Sequence, residues 1–520
     1  MPRILAVAAL LAGVAAGVAP VAGHAAGPYD GCDPSGATVR VGVVACQTLP
    51  SPDLGGTTAF SYYVPPACRD ARCPTLYLLH GFGGDLTSML GNAAHPSGWV
   101  AALSSRPKTS PSSSAQPWTL ADPATWVPAP VLPVVLIAPD GRTVPHGDGP
   151  GVGLEGFWAD WNPRYAKGGD TERYPTPAPR FASEVTDELV PYVEAHFPVG
   201  SGRAWRALAG TSLGGYGSYA IGLTHPDFFA DIGAVSGIMN ILLLPGLDAS
   251  PAGGPGGAAP PVQLPATSLP GAAGASAPLS AFPEQARGFA VATYAFGDPT
   301  VDQTYYRGRM PRDLAINAHA DRVVHGQATQ SLVVRGFSND AVPRQAADFA
   351  SPPGYLGAQA FEAIVLVSNI EQSQAFADAG VKQHYERHPG IHSDAYWNPW
   401  LRGQLEAMYA SVRHPDGGGD PPPMPTTFDY RSNASQFAVW GWQFSVRRVA
   451  SEFLDLTDVT CAGLTLRGTG DVRVLPPASC HDGPVNVHLG AGSPTNAPAG
   501  VDEAPAYGRV IHVSFLRDGR

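Results

Sequence analysis

Arg206-Ala-Leu-Ala-Gly-Thr-Ser-Leu-Gly-Gly-Tyr-Gly-Ser218 (RALAGTSLGGYGS) is the stretch from which the fold can be read. Arg206–Ala209 is a short apolar strand, and it runs straight into Gly210-Thr211-Ser212-Leu213-Gly214, a G-x-S-x-G pattern. In a chain with 61 glycines that pattern alone is weak, so its context has to carry the reading. Gly214-Gly215-Tyr216-Gly217-Ser218 opens a helix that ends near His225-Pro226. A serine on a tight strand-to-helix turn has its hydroxyl held clear of the sheet, and small neighbours let the chain bend there. The helix N-terminus behind it favours developing negative charge. Ser212 is therefore expected to be a nucleophile.

Outward from this turn, Thr75–Leu79, Val134–Ala138, Ile232–Val235 and Ser331–Val334 are further apolar runs, while Phe181–Ala195 and Phe361–Ala379 have helical spacing. Continuous apolar strands imply burial on both faces, as in a parallel sheet covered by helices. The expected class is α/β, a doubly wound, mostly parallel sheet. Catalytic chemistry is assigned to residues 27–414, with Pro415–Pro425 as a Gly/Pro-rich linker. Residues 249–281 hold no charged or aromatic side chain and are expected to form a disordered insertion. Ser104–Pro117, rich in Ser and Pro, is expected to be mobile. From 426 to 520 the pattern changes to a β-rich accessory domain, in which Trp440, Trp442, Phe444 and Val446 alternate. Those tryptophans fit a buried face as readily as a sugar platform.

Hydrophobic residues make up 44% of the 520, which excludes a wholly disordered chain. Lys+Arg is 32 and Asp+Glu 43, a net charge of −11, and no basic stripe is available for a nucleic acid. Met1-Pro2-Arg3, an Ala/Val/Leu run from Ile4 to Ala19, Pro20 and small residues at Ala25–Gly27 predict a secretory signal over residues 1–26. An uncleaved anchor is the competing reading. Cleavage would leave no integral membrane span and place the protein outside the cell or in the envelope. Cys32, Cys46, Cys68, Cys73, Cys461 and Cys480 are then expected to pair by proximity as 32–46, 68–73 and 461–480. A metal site competes poorly, since no C-x-x-C or paired-His spacing is present.

A serine nucleophile requires partners. His80-Gly81-Phe82-Gly83-Gly84 follows the strand Thr75–Leu79, so the Phe82 and Leu213 amides are expected to form an oxyanion hole. The base should come last in chain order, and His392, in the turn Pro389-Gly390-Ile391-His392-Ser393 before a helix over Ala395–Val412, fits. His384 and His388 lie in or at the end of the preceding strand. For the orienting acid, Asp340 in Gly336-Phe337-Ser338-Asn339-Asp340 and Glu362 at a helix start both qualify. Local physics does not choose between them.

YLLHGFGG (Tyr77–Gly84), FWADW (Phe157–Trp161), AGTSLGGYGSYA (Ala209–Ala220) and PGIHSDAYW (Pro389–Trp397) together resemble the esterase superfamily containing esterase D, feruloyl esterases and the antigen 85 mycolyltransferases. The resemblance covers roughly residues 55–412 and implies an α/β-hydrolase fold, a serine esterase and no cofactor. Phe361-Glu362-Ala363-Ile364-Val365-Leu366-Val367-Ser368-Asn369 is similar to the mycolyltransferase segment whose Glu is catalytic, which favours Glu362 over Asp340. Trp158, Asp160, Trp161, Trp397 and Trp400 become candidates for an acyl or sugar cleft, against core packing for each aromatic. The mycolyltransferases have Asp-Gly-Leu-Arg where this chain has His80-Gly81-Phe82-Gly83. Losing that Asp and Arg removes charge-assisted bonds to sugar hydroxyls, so the loop looks more like that of the hydrolytic members. The leading expectation is a secreted carboxylic-ester hydrolase acting on a small-molecule or lipid ester. The alternative is an acyltransferase that delivers the acyl group to a sugar or glycerol hydroxyl of an envelope glycolipid. A noncatalytic surface-binding protein is a third reading, which the intact Ser212, Glu362 and His392 set disfavours.

Overall fold

A computed structural model describes residues 29–110, 120–142, 156–163, 178–243, 295–297, 302–318, 321–341, 352–448, 452–490 and 509–515, apart from isolated positions and short gaps within these ranges. The expected signal at 1–26 and the insertion at 249–281 lie outside the described residues.

The strands in the first four hundred residues are β1 (Val44–Ser51), β2 (Gly56–Tyr63), β3 (Thr75–Leu79), β4 (Ser105–Arg106), β5 (Val127–Pro128), β6 (Val135–Pro139), β7 (Arg206–Thr211), β8 (Asp231–Val235), β9 (Asp321–Val324), β10 (Gln327–Thr329), β11 (Val333–Ala341) and β12 (Gln383–Gly390). Eight of them form one sheet in the order β1-β2-β6-β3-β7-β8-β11-β12. Pairing is parallel from β6 through β12, and the hairpin β1–β2 adds an antiparallel edge. This is a doubly wound α/β-hydrolase sheet.

The apolar runs alternate between two cores. Tyr77, Leu79, Ile137 and Leu208 point to one face, with helices α3 (Val190–His196), α4 (Leu213–Thr224) and α7 (Pro352–Asp378) contributing Val193, Tyr216, Tyr219 and Phe376. Leu76, Leu78, Leu136 and Ala207 point to the other, which is covered by α1 (Gly98–Ala102) and α8 (Asp394–Ala410) through Trp99, Leu401, Leu405 and Met408. Period-two side chains on a central strand fill both cores at once, each large apolar side chain contributing roughly 1.5–3 kcal/mol. The helix expected over Phe181–Ala195 is α2 (Phe181–Ser183) and α3, joined by the π-helical turns Glu184–Leu189. Short helices α5 (Gln303–Arg307) and α6 (Ala315–Ala318) complete the body.

Two boundaries differ from expectation. β11 runs to Ala341, because its ladder with β12 continues through Asp340, which sits opposite Pro389 in strand and not in a loop. Ser104–Pro117 begins in ordered structure, since Ser105–Arg106 pairs with Val127–Pro128. Residues 111–119 lie outside the described residues.

Strands β13 (Phe428–Ser432), β14 (Gln436–Val439), β15 (Trp442–Arg447), β16 (Leu454–Thr460), β17 (Gly463–Gly468), β18 (Gly470–Leu475), β19 (Val485–Gly490) and β20 (Arg509–Ser514) form two antiparallel four-stranded sheets. Trp440, Trp442, Phe444 and Val446 fill the core between them, so these aromatics are packing rather than a sugar platform. The sandwich is fastened at the C-terminal end of α4: Tyr430 Oη donates to Thr224 O at 2.7 Å, and the Trp440 amide donates to Asp227 at 2.8 Å. Asn317 bridges the two parts, donating to Leu223 O and accepting from the Arg431 amide. Disulfides join Cys32–Cys46, Cys68–Cys73 and Cys461–Cys480. Among the described residues no helix is long and apolar enough to cross a membrane.

Candidate active site

Ser212 closes β7 with φ 56° and ψ −119°, a conformation that non-glycine residues rarely adopt. Its amide donates to Val235 O in β8 at 2.9 Å, and its carbonyl accepts from the Tyr216 amide, which anchors the strained turn on both sides. The surrounding glycines are required for lack of space. A Cβ at Gly210 would lie 2.1 Å from Gly214 O, and one at Gly214 would lie 1.9 Å from Leu79 O. Crowding of this kind is what lets α4 start directly against the sheet.

His392 follows the C-terminal end of β12 and precedes α8. Its Nε2 is 2.7 Å from Ser212 Oγ, and its Nδ1 is 2.6 Å from Glu362 Oε2. Glu362 is completely buried, and its Oε1 accepts from Ser236 Oγ at 2.8 Å. The imidazole is held edge-on between Phe361 and Trp397, with centroids 4.6 and 4.8 Å away. The carboxylate within hydrogen-bonding reach of His392 is thus Glu362, while Asp340 occupies the β11 ladder. His384 bonds Glu386, and His388 stacks on Trp400, where burial pushes its pKa down to about 4. Ser236, with φ 47° just past β8, was not singled out in the sequence. A serine followed by glycine after a parallel strand is its only local signal.

The loop after β3 passes close to this serine. A Cβ at Gly81 would lie 3.0 Å from Ser212 Cβ and 3.2 Å from Thr211 O. His80 at its start is buried; its Nε2 accepts from the Gly141 amide at 2.9 Å and its Nδ1 lies 2.8 Å from Gly81 O. Burial lowers its pKa, so it is a neutral ring with the proton on Nδ1. Asp140, 3.9 Å from that ring, is engaged by Arg142 through two hydrogen bonds. The Trp158 indole donates to His80 O at 3.0 Å and packs edge-on against the ring. His80 and Trp158 therefore fix the loop that carries Phe82, whose side chain is 36% exposed; Leu213, the first residue of α4, is buried.

An open cavity of about 500 Å³ lies over Ser212 and His392, with Phe82, Met89, Trp99, Trp397 and Leu401 among its walls. Of the cleft candidates, Trp397 lines it. Trp158 instead fills the core between Gly141 and Gly217, where any Cβ would collide with its ring. Trp161 is buried with its indole on Gly156 O, Asp160 accepts from the Ser183 amide and hydroxyl, and Trp400 stacks on His388. Trp99 and Met89, absent from the sequence expectations, come from a segment with no motif of its own. Among the described residues no cluster of His, Cys, Asp and Glu could hold a metal ion.

Residues 155–408 match the family described as "Putative esterase". The chain is 27% identical over 199 residues to the S-formylglutathione hydrolase of Rattus norvegicus, covering 36% of this chain and 54% of that one. It is 28% identical over 189 residues to the Mus musculus S-formylglutathione hydrolase, covering 35% and 53%. It thus spans about half the length of these curated relatives. Similar solved structures include a ferulic acid esterase, at 17% identity and TM-score 0.39, covering 70% of this chain and 97% of that one. Another is an S-formylglutathione hydrolase from Agrobacterium tumefaciens, at 14% identity and TM-score 0.39, covering 72% and 96%. Residues 155–408, the segment that holds Ser212, Glu362 and His392, are thus similar to this esterase family, and they sit on an α/β-hydrolase sheet.

Proposed function

We propose that the protein is a secreted serine hydrolase of carboxylic esters that works through an acyl-enzyme on Ser212. The observation that carries this reading is the unbroken relay from Ser212 Oγ to His392 Nε2 and from His392 Nδ1 to Glu362 Oε2, at 2.7 and 2.6 Å. His392 takes the Ser212 proton as Oγ attacks the ester carbonyl, and the developing oxyanion is held by the Phe82 and Leu213 amides. The tetrahedral intermediate collapses, His392 gives its proton to the departing alkoxide, and the acyl group stays on Ser212. Water, deprotonated by the same imidazole, then releases the free acid. Glu362 holds the imidazole in the tautomer that leaves Nε2 free and stabilises its cationic form. Ser236 positions Glu362 from the other side.

The disulfides and the open cavity support an extracellular enzyme acting on a small ester. Release of p-nitrophenol from p-nitrophenyl acetate, measured with wild type and Ser212→Ala, tests the reading. The variant is expected to lose at least a thousandfold in turnover while keeping its thermal midpoint within a few degrees; equal rates would remove the nucleophile. Product analysis with glycerol present decides the acceptor: free acid alone supports hydrolysis, and acylated glycerol as the main product supports transfer.

A further inference from the structure

The cavity over Ser212 carries one acid and, among the described residues, no cation. Asp394, the first residue of α8, lines its wall two positions after His392 and is exposed to it. No lysine or arginine among the described residues lines the same space. Three of the other polar side chains there have partners: Ser97 Oγ donates to Met89 O at 2.6 Å, Asn398 donates to Ala121 O at 3.2 Å, and Ser88 is tied to Asp85. No hydrogen bond or ion pair among the described residues engages the Asp394 carboxylate. Burial raises its pKa, and the one neighbouring group that favours its charge is His392. Glu362 is paired with His392, Arg142 with Asp140, and Asp85 behind Ser88 is a further acid.

From this we infer that Asp394 is the charge-selecting residue of the site, favouring esters whose leaving group presents an ammonium or hydroxyl donor and disfavouring those that bring a carboxylate to the cavity. The inference rests on the Ser212 reading and names the substrate class for it. At an open cavity, water screens the carboxylate only in part, and two unit charges about 6 Å apart interact strongly enough to change rates on the order of tenfold. The same field would oppose an anionic thiol carrier.

Three acetyl thioesters with a common acyl group test this: acetylthiocholine, its neutral analogue 3,3-dimethylbutyl thioacetate, and the anionic S-acetyl-3-mercaptopropionate. Thiol release is followed with a colorimetric thiol reagent. In wild type, kcat/KM is expected to fall in the order cationic, neutral, anionic, with about a tenfold span between the ends. Asp394→Asn should compress that span to within about twofold, and Asp394→Glu, which keeps the charge, should preserve it. An unchanged ratio in Asp394→Asn would overturn the inference, and so would a uniform loss on all three thioesters, which marks a residue acting only through His392. If Asp394→Asn does not fold, a wild-type order with the anionic ester equal to or better than the cationic one overturns it without any variant. Wild type inactive on every thioester and on p-nitrophenyl acetate would instead bring down the Ser212 reading, while inactivity on the thioesters alone, with p-nitrophenyl acetate still hydrolysed, would overturn only the inference.

Discussion

Replacing Glu362 with Gln isolates the carboxylate's charge from its shape. The side chain is completely buried, its Oε2 lies 2.6 Å from His392 Nδ1, and its Oε1 accepts from Ser236. Gln keeps the volume and can still bond both neighbours, so the fold should survive. The pairing with the imidazolium is lost. With charge centres about 4 Å apart and an effective dielectric near 20, that pairing is worth about 4 kcal/mol, which corresponds to roughly a thousandfold in rate. If the Gln amide nitrogen faces Nδ1, the imidazole must also take the wrong tautomer, and the loss approaches about ten-thousandfold. The assay is steady-state hydrolysis of p-nitrophenyl acetate by Glu362→Gln beside Asp340→Asn, each checked by thermal melt. Glu362→Gln should lose about 10³- to 10⁴-fold in kcat, and Asp340→Asn less than about threefold. A Glu362→Gln loss below tenfold, or a larger loss in Asp340→Asn, would refute the reasoning.

Removing the Ser236 hydroxyl with Ser236→Ala frees one carboxylate oxygen of Glu362 and should lower kcat by about three- to thirtyfold with KM little changed, read in the same assay. Glu184 is buried with neither oxygen hydrogen-bonded, and burial together with the nearby Glu188, Asp53 and Asp140 carboxylates holds its pKa well above the carboxylate range. A raised folded-state pKa means that this group favours the fold most below the unfolded carboxylate value and costs stability as pH rises above it. Glu184→Met should therefore stabilise the protein by about 1–3 kcal/mol at pH 7 and by less at pH 5, measured by urea denaturation. A destabilised variant at pH 7 would contradict this.

The central sheet is legible because β3, β7 and β8 are apolar on both faces and end in Gly-containing turns, a purely local signature. Ser212 is legible for the same reason, since Gly210, Gly214 and the helix start are its immediate neighbours. Glu362 is less so: Asp340 and Glu362 are equivalent by local pattern, and what separates them is where β11 stops, which depends on pairing with β12, where Asp340 faces Pro389, 49 positions further along the chain. Ser236 carries only a weak local signal, because its contact with Glu362 spans two elements of the fold. Trp158 and Trp161 look like cleft residues in an irregular segment, yet the space left by Gly141 and Gly217 draws Trp158 into the core, a long-range fit that no local pattern records. The β1–β2 hairpin has a weak strand signature because Gln47 and Pro50 interrupt its apolar alternation, although Gln47 is fully buried in the folded chain.

The most direct test is intact-mass analysis of the protein after treatment with a fluorophosphonate. A single covalent adduct is expected, mapping to the peptide that holds Ser212 and absent in Ser212→Ala; an unlabelled protein, or an adduct that persists in that variant, would rule out Ser212 as the nucleophile.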